Sequence, residues 1–131
     1  FIFMKHREMF NMKIRDIKDL LNAEILTGED RLDDEVYSAC GSDMMSDVLA
    51  YVKDQGVLLT GLVNPQVVRT ADMMDMHCIV FVRSKMPTEE MKQLAKDSSM
   101  VLLATKMRMY EACGKLYSSG LGSTATKSGE E

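Results

Sequence analysis

Cysteine and histidine are scarce in this sequence. The cysteines are Cys40, Cys78 and Cys113, an odd number, and no two of them form a Cys-x-x-Cys pair. His6 and His77 are the only imidazoles that could help to bind a metal. These counts argue against a disulfide framework and against a zinc site. They fit a reducing cytoplasm, in which we expect the cysteines to be small core residues.

Long basic blocks and long apolar runs are also missing. The chain has 16 Lys and Arg against 20 Asp and Glu, a formal net charge of −4, and no long block of Lys or Arg. Nucleic-acid binders usually carry a basic stripe, so we expect no nucleic-acid partner. No apolar run approaches the about 18 residues that a spanning helix needs, so we expect no membrane segment.

The length of 131 residues suits one compact domain. Hydrophobic residues make up 46% and charged residues 27%, which is ordinary for a globular protein. Residues 1–11 mix aromatic and basic residues without an apolar signal core, and we interpret them as a leader or extension outside the fold. Residues 119–131 are rich in Gly, Ser and Thr, which predicts a flexible tail. The predicted domain is 12–118.

Strands and helices alternate along this domain. The predicted strands are apolar on both faces, which is typical of a mostly parallel sheet between two helix layers. The fold class is therefore predicted as α/β, a three-layer sandwich with a mostly parallel sheet of about five strands. The predicted elements are helix 14–22, strand 24–26, strand 36–40, helix 43–53, strand 57–59, helix 64–74, strand 78–82, a helix opened by Pro87, strand 101–104 and helix 106–117.

Polar residues follow the predicted strands at their carboxyl ends. Ligands of open parallel sheets bind at this edge, where helix N-termini also converge. Hydroxyls, backbone amides and an arginine there suit an anionic or nucleotide-like ligand, although Ser, Asn and Thr at these positions also cap helices. The candidate ligand-binding residues are Ser42, Asp43, Thr60, Gly61, Asn64, Arg69, Arg83, Ser84 and Thr105.

Signatures of catalysis are weak, and we assign no catalytic or metal-binding residue. His77 precedes a predicted strand and so belongs to the opposite, amino-terminal edge, away from Ser42 and Thr60. Asp43 and Asp47 share a helix face but have no partner acid or base. The Gly-Ser-Thr stretch at 122–128 follows no strand and is rejected as a phosphate loop. The sequence identifies no cofactor.

Methionine is abundant, with 13 residues. Most are expected to fill the core, because flexible thioethers fit irregular gaps. Met73, Met74 and Met76 cannot all point inward from one short helical end, so we expect some to contact a partner. A second copy of the chain is the commonest such partner, which predicts a homodimer.

Residues 42–49, 57–61, 64–65, 69–71, 78–83, 102–105 and 109–114 carry a pattern that resembles the DRTGG-domain family, and the likeness covers roughly residues 12–121. Members are similar to the amino-terminal domain of HPr kinase/phosphorylase, an α/β fold, and accompany CBS domains in some pyrophosphatases. The Asp-Arg and Thr-Gly-Gly elements that name the family are not intact here. The resemblance implies regulation and dimer contact rather than chemistry.

The sequence therefore predicts a cytoplasmic regulatory or ligand-sensing module, homodimeric and not an enzyme. It would bind a small anionic or nucleotide-like ligand, or a signalling protein. One alternative is a small enzyme acting on a phosphorylated metabolite, with Asp43, Asn64 and Arg69 as its candidate residues. The other is a purely structural dimerisation domain.

Overall fold

The computed structural model describes residues 11–51 and 56–122. Seven strands and five helices follow one another within these residues, with a single 3-10 turn at Glu29–Arg31. In chain order the elements are β1 (Met12–Lys13), α1 (Ile14–Leu20), β2 (Glu24–Thr27), β3 (Glu35–Val36), β4 (Ser38–Gly41), α2 (Met45–Tyr51), β5 (Gly56–Thr60), α3 (Pro65–Met73), β6 (Cys78–Phe81), α4 (Glu89–Asp97), β7 (Val101–Ala104) and α5 (Met109–Ser118).

Five strands form the central sheet in the order β2-β7-β6-β5-β4. The pairs β4–β5, β5–β6 and β6–β7 are parallel, whereas β2 lies antiparallel to β7 at one edge. The parallel pairs follow from the helices that connect successive strands, since a parallel connection needs a crossover. The predicted α/β fold with a mostly parallel five-stranded sheet is confirmed.

Alternate residues of the strands feed two separate cores. Leu59 and Val80 face a layer made by α1 and α5, and Leu58 and Ile79 face the layer of α2, α3 and α4. All four side chains are fully buried, which explains why the strand segments contain no polar alternate face. The three-layer arrangement is thus a direct consequence of strands that are apolar on both sides.

The structure differs from the sequence prediction at several element ends. The predicted strand 36–40 is divided, because β3 pairs with β1 in a two-stranded antiparallel sheet before β4 joins the main sheet. The predicted Pro87 helix begins at Glu89, since the Thr88 hydroxyl caps it by accepting from the Met91 amide at 3.2 Å. The last helix begins at Met109 rather than at residue 106.

Residues 119–122, which composition assigns to the tail, continue the packed domain. Leu121 is buried against the α1 and α5 core, and the Gly122 carbonyl accepts a hydrogen bond from the Ala39 amide at 2.8 Å. Residues 1–10 and 123–131, which contain most of the predicted leader and tail, lie outside the described residues. No helix within residues 11–51 and 56–122 combines the length and the apolar character needed to cross a bilayer.

Candidate functional site

The four parallel strands end at one edge of the sheet, called here the carboxyl rim. The register places Gly41 beside Leu59, Thr60 beside Phe81, and Phe81 beside Ala104, so the loops that follow these strands are neighbours. His77 lies at the opposite edge, the amino rim. Its backbone carbonyl accepts from the amide of Val101, the first residue of β7, at 2.9 Å.

Asp43, Thr60, Gly61 and Arg83 are joined at the carboxyl rim, and we call them the Asp43 cluster. Asp43 Oδ1 accepts from the Thr60 hydroxyl and from the Gly61 amide, each at 2.8 Å. Arg83 Nη2 lies 3.8 Å from Asp43 Oδ2 and donates to the Gly61 carbonyl at 3.5 Å. The cluster therefore connects the loops that follow β4, β5 and β6.

These contacts stabilise the charged form of the Asp43 carboxyl. The Gly61 amide is the main cause of a lowered pKa for Asp43, partial burial opposes it, and the Thr60 hydroxyl and the Arg83 charge add to the lowering. Asp43 is consequently an anion at neutral pH. An ionised carboxylate with one oxygen that accepts two hydrogen bonds is suited to holding the loops in place, and is poorly suited to delivering a proton.

The backbone at Arg83 and Ser84 is strained. Their φ angles are 61° and 60°, in the left-handed region that is unfavourable for residues other than glycine. Asn22, Asp75 and Ser99 also have positive φ, but each follows a helix end, where such a residue closes the helix. Among the described non-glycine residues, Arg83 and Ser84 alone adopt this conformation directly after the β6 strand segment rather than after a helix.

Backbone hydrogen bonds hold this strained pair. The Arg83 amide donates to the Met107 carbonyl at 2.8 Å, and the Ser84 amide donates to the Thr105 carbonyl at 3.0 Å. The loop after β7 thus fixes the loop after β6, and Arg83 is presented toward the β5 side while Ser84 lies on the β7 side. Strain held in place by its surroundings is more frequent at functional sites than elsewhere.

An open cavity of about 560 Å³ lies beside Ser84, and we call it the rim groove. Thr105 contributes to its lining and is itself buried, because its hydroxyl donates to the Leu21 carbonyl at 2.7 Å and accepts from the Met107 amide at 3.2 Å. The polar residues of the groove are Asn22, Glu24, Ser84, Thr105 and Lys106.

Three predicted site residues have local roles or stand apart. The Ser42 hydroxyl accepts from the Met44 amide at 2.9 Å, and Asn64 caps α3 by accepting from the Gln66 amide at 2.8 Å. Arg69 is exposed on α3, and no hydrogen bond or ion pair within the described residues joins it to the Asp43 cluster. The structure therefore brings together Asp43, Thr60, Gly61 and Arg83, with Ser84 and Thr105 adjoining them through the backbone.

Asn22 and Glu24 were not among the residues that the sequence predicted for the site. They come from the turn between α1 and β2, and they reach the carboxyl rim because β2 is antiparallel, with Glu24 paired to Ala104. A sequence prediction of parallel strands places the start of β2 at the other edge. The available signal was Asn22 itself, since Asn after a helical apolar stripe is a frequent left-handed helix terminator.

Nucleophile and metal chemistry receive no support from the described residues. Burial raises the pKa values of the Cys40, Cys78 and Cys113 thiols, so these groups are protonated at neutral pH and are poor nucleophiles. Across residues 11–51 and 56–122, no three His, Cys, Asp or Glu side chains are grouped so that they could hold a metal ion.

The fold is similar to a solved structure from Clostridium perfringens, the CBS and DRTGG domains of the regulatory region of a pyrophosphatase, complexed with its activator diadenosine tetraphosphate. The TM-score is 0.66 at 17% sequence identity, and the match covers 92% of this chain and 50% of that chain. This chain thus spans half the length of the structure that it matches. No protein-family model matches the sequence, and no curated protein matches it. The resemblance stated from the sequence is therefore confirmed at the level of structure: the chain folds as a DRTGG-like α/β domain.

Proposed function

We propose that this chain is a homodimeric regulatory module that senses a small anionic or nucleotide-like ligand at the carboxyl rim. The observation that carries the proposal is Arg83, which is held between two loops and yet keeps 45% of its side chain exposed. The Arg83 backbone is fixed by the bond from its amide to the Met107 carbonyl, so only the side chain has to order around an anion, and more of its interaction appears as affinity.

Arg83 has hydrogen-bond donors to spare. A guanidinium carries five N–H donors in a planar fork that matches phosphate or carboxylate oxygens. Both contacts of Arg83 with the Asp43 cluster are made by Nη2. The 3.8 Å separation from Asp43 is loose for an ion pair, so an incoming anion can compete for the guanidinium.

The rim groove offers space for the rest of a ligand. Its volume of about 560 Å³ lies within the range of small-molecule sites, about 300–1,000 Å³. Ser84 links the groove to Arg83 through adjoining strained residues, and Lys106 adds a second exposed cation. A nucleotide-like ligand would place its anionic group near Arg83 and its uncharged part in the groove.

A regulatory consequence follows from the same contacts. Asp43 joins the loop before α2 to the end of β5, and its charge is balanced in part by Arg83. An anion that draws Arg83 away from Asp43 weakens the connection between the two loops. It would thereby shift the β4–α2 loop from its present position toward a second one in which Asp43 and Arg83 are apart. Such differential binding is what a regulatory ligand needs in order to shift an equilibrium.

The similar structure supports regulation in preference to catalysis. It belongs to a regulatory region that binds a nucleotide activator, and the activator is a property of that protein. The cytoplasmic location that we propose is supported by the thiols, since Cys40, Cys78 and Cys113 are all free. Neither the enzyme alternative nor the purely structural one is favoured by a specific contact in the described residues.

Ligand titration tests the proposal. Calorimetry and thermal-shift assays would use a panel of nucleotides, dinucleoside polyphosphates and acyl phosphates on the full chain. We expect at least one compound to bind, and Arg83→Gln to weaken its affinity by about tenfold or more, because a charge-assisted bidentate contact is lost. Arg69→Gln is the matched control, since Arg69 is exposed on α3 and stands apart from the Asp43 cluster. This variant should bind the ligand with unchanged affinity.

Two results would contradict the proposal. Absence of binding across the whole panel would remove the small-ligand function. Equal losses of affinity in Arg83→Gln and Arg69→Gln would mean that the ligand responds to general surface charge and not to the built cluster.

A further inference from the structure

Three polar side chains of the rim groove are uncommitted. Asn22, Glu24 and Lys106 line the groove and are exposed, and no hydrogen bond or ion pair within residues 11–51 and 56–122 engages their side chains. The carboxylate of Glu24 and the ammonium of Lys106 thus share one groove without pairing with each other. Such walls suit a ligand that brings both an anionic group and a hydrogen-bond donor.

The backbone that carries Glu24 is held in place before any ligand arrives. Glu24 pairs with Ala104 of β7 in the antiparallel register. The turn before it is tied to the same strand, because the buried Thr105 hydroxyl donates to the Leu21 carbonyl at 2.7 Å. Only the Glu24 side chain therefore has to order when a ligand binds, which leaves more of the contact as affinity.

The sheet register sets the separation between Glu24 and the anion site. One residue from each of β2, β7, β6 and β5 forms a row of paired positions, which are Glu24, Ala104, Phe81 and Thr60. Arg83 Nη2 lies 3.5 Å from the carbonyl of Gly61, the residue after Thr60, so the guanidinium is near the far end of this row. Neighbouring strands are about 4.8 Å apart, so two to three spacings, roughly 10–14 Å, separate the two groups. An acyl phosphate is too short to reach both.

We propose that Glu24 selects the ligand of the rim groove, and that this ligand is a nucleotide whose base carries an amino group. Its phosphate binds Arg83, and the amino group at its other end donates to the Glu24 carboxylate. The inference rests on the proposed function and names the chemical class of its ligand. Adenine and cytosine both carry an amino group of this kind.

Selection works chiefly by rejection. A carboxylate accepts hydrogen bonds and cannot donate them. A base without a donor at this position would displace water from Glu24 and return no hydrogen bond, which costs affinity. Discrimination against a ligand that leaves a polar group of the site unpaired is stronger than discrimination by shape alone.

Calorimetric titration of the full chain with matched pairs of nucleotides tests the selection. The pairs are adenosine diphosphate and cytidine diphosphate, each compared with the derivative whose amino group is dimethylated. The anionic end is identical within a pair, and only the donor is removed. We expect at least one amino form to bind about tenfold or more tightly than its dimethylated form.

Glu24→Met tests whether Glu24 causes the preference. The substitution removes the carboxylate and keeps an unbranched side chain, so the amino form should bind about tenfold more weakly while the dimethylated form binds at least as tightly as before. The preference between the two forms should disappear, whereas a merely structural defect would weaken both equally. Glu29→Met is the matched control, because Glu29 is exposed beyond the other end of β2, at the amino rim, and should keep the wild-type preference.

The outcomes separate this inference from the proposed function. Equal affinity for both forms of each pair, or a preference that survives in Glu24→Met, would overturn selection by Glu24 and leave anion binding at Arg83 intact. Binding of acyl phosphates alone would do the same. A preference lost equally in Glu24→Met and Glu29→Met would also overturn it, since the ligand would then respond to overall charge. Absence of binding by every compound would remove the proposed function, and this inference with it.

Discussion

The two rims of the sheet differ in how their polar side chains are hydrogen-bonded. At the amino rim, Thr27 is buried, its hydroxyl donates to the Met100 carbonyl at 2.8 Å, and it accepts from the Leu102 amide at 3.1 Å. At the carboxyl rim, the polar contacts of Asp43 and Arg83 are made by side chains that are about half exposed. Thr27 satisfies its hydrogen bonds inside the domain, whereas Asp43 and Arg83 keep part of their bonding capacity open to solvent.

Glycine shows the same contrast. Gly28, which ends β2 at the amino rim, has a φ of 81°, and a Cβ there would lie 2.9 Å from the Val101 Cα atom. Gly61 at the carboxyl rim would place a Cβ 2.8 Å from Arg83 Cζ, the far end of a flexible side chain. Gly28 is required because the Val101 backbone cannot move, whereas Gly61 faces the Arg83 side chain, which can. Replacing each glycine with alanine therefore separates an effect on stability from an effect on ligand binding.

Gly28→Ala has the largest expected effect. The added methyl group meets the β7 backbone and the residue must keep a left-handed conformation, so we expect a loss of about 2–4 kcal/mol in the free energy of unfolding. Urea denaturation measures it. Ligand affinity of the folded fraction should be unchanged, and a loss below about 1 kcal/mol would show that the amino rim is less tightly packed than its contacts indicate.

Asp43→Ala should lower the free energy of unfolding by about 1–2 kcal/mol at neutral pH, because two hydrogen bonds to a half-exposed carboxylate are lost. The pKa of Asp43 is lowered in the folded chain, so this stability is fully present above the unfolded value of about 3.8. It disappears as the pH falls through the folded pKa.

Urea denaturation of both chains between pH 7 and pH 2 checks this. The difference between wild type and Asp43→Ala should be constant at neutral pH and shrink below about pH 4. Asp47→Ala is the control, since the Asp47 side chain makes no hydrogen bond or ion pair within the described residues. A difference that grows on acidification would contradict the assignment of the contacts to ionised Asp43.

Ser84→Gly should raise the free energy of unfolding by about 0.5–1 kcal/mol, since glycine adopts a φ of 60° without strain. Ser99→Gly, at a φ of 55° on the amino rim, should give a similar gain. The two variants should differ in ligand binding. Only Ser84→Gly should lower the affinity for the ligand that binds the wild type, because it loosens the loop that holds Arg83. Equal ligand affinities in both variants would show that the left-handed backbone at Arg83 and Ser84 has no role in ligand binding.

Gly61→Ala has the smallest expected effect on stability, below about 0.5 kcal/mol, because the Arg83 side chain can rotate away from the new methyl group. Its ligand affinity should nevertheless fall as far as that of Arg83→Gln. Thermal denaturation and calorimetric titration of one sample give both numbers. A loss of stability as large as that of Gly28→Ala would mean that the two rims are equally rigid.

The sequence predicts the periodic parts of the fold well. Strand 78–82 and helix 64–74 are observed as Cys78–Phe81 and Pro65–Met73, because a long apolar run and an Asn-Pro helix start are strong local signals. The pairing of β1 with β3 was not predicted, since two-residue strands carry no periodicity. The antiparallel direction of β2 was not predicted either, because it depends on partners far along the chain.

The candidate site is predictable in composition and not in detail. Parallel strands guarantee that residues after β4, β5, β6 and β7 share a rim, which is why Asp43, Thr60 and Arg83 could be named from the sequence. The reach of Arg83 to Gly61 depends on a left-handed loop that no local propensity favours. Asn64 and Ser42 could equally cap or bind, and in the structure they cap. Ligand binding by these residues stays a prediction.

The path of the chain has a consequence for how this domain can be connected. Met12 pairs with Val36, and Gly122 bonds to Ala39, so the chain attaches to the same short stretch of backbone near both ends of the described residues. A unit whose two ends adjoin can be spliced into a surface loop of a host protein, or circularly permuted, without pulling its sheet apart. Any rearrangement of the β3–β4 segment would reach both flanking sequences together.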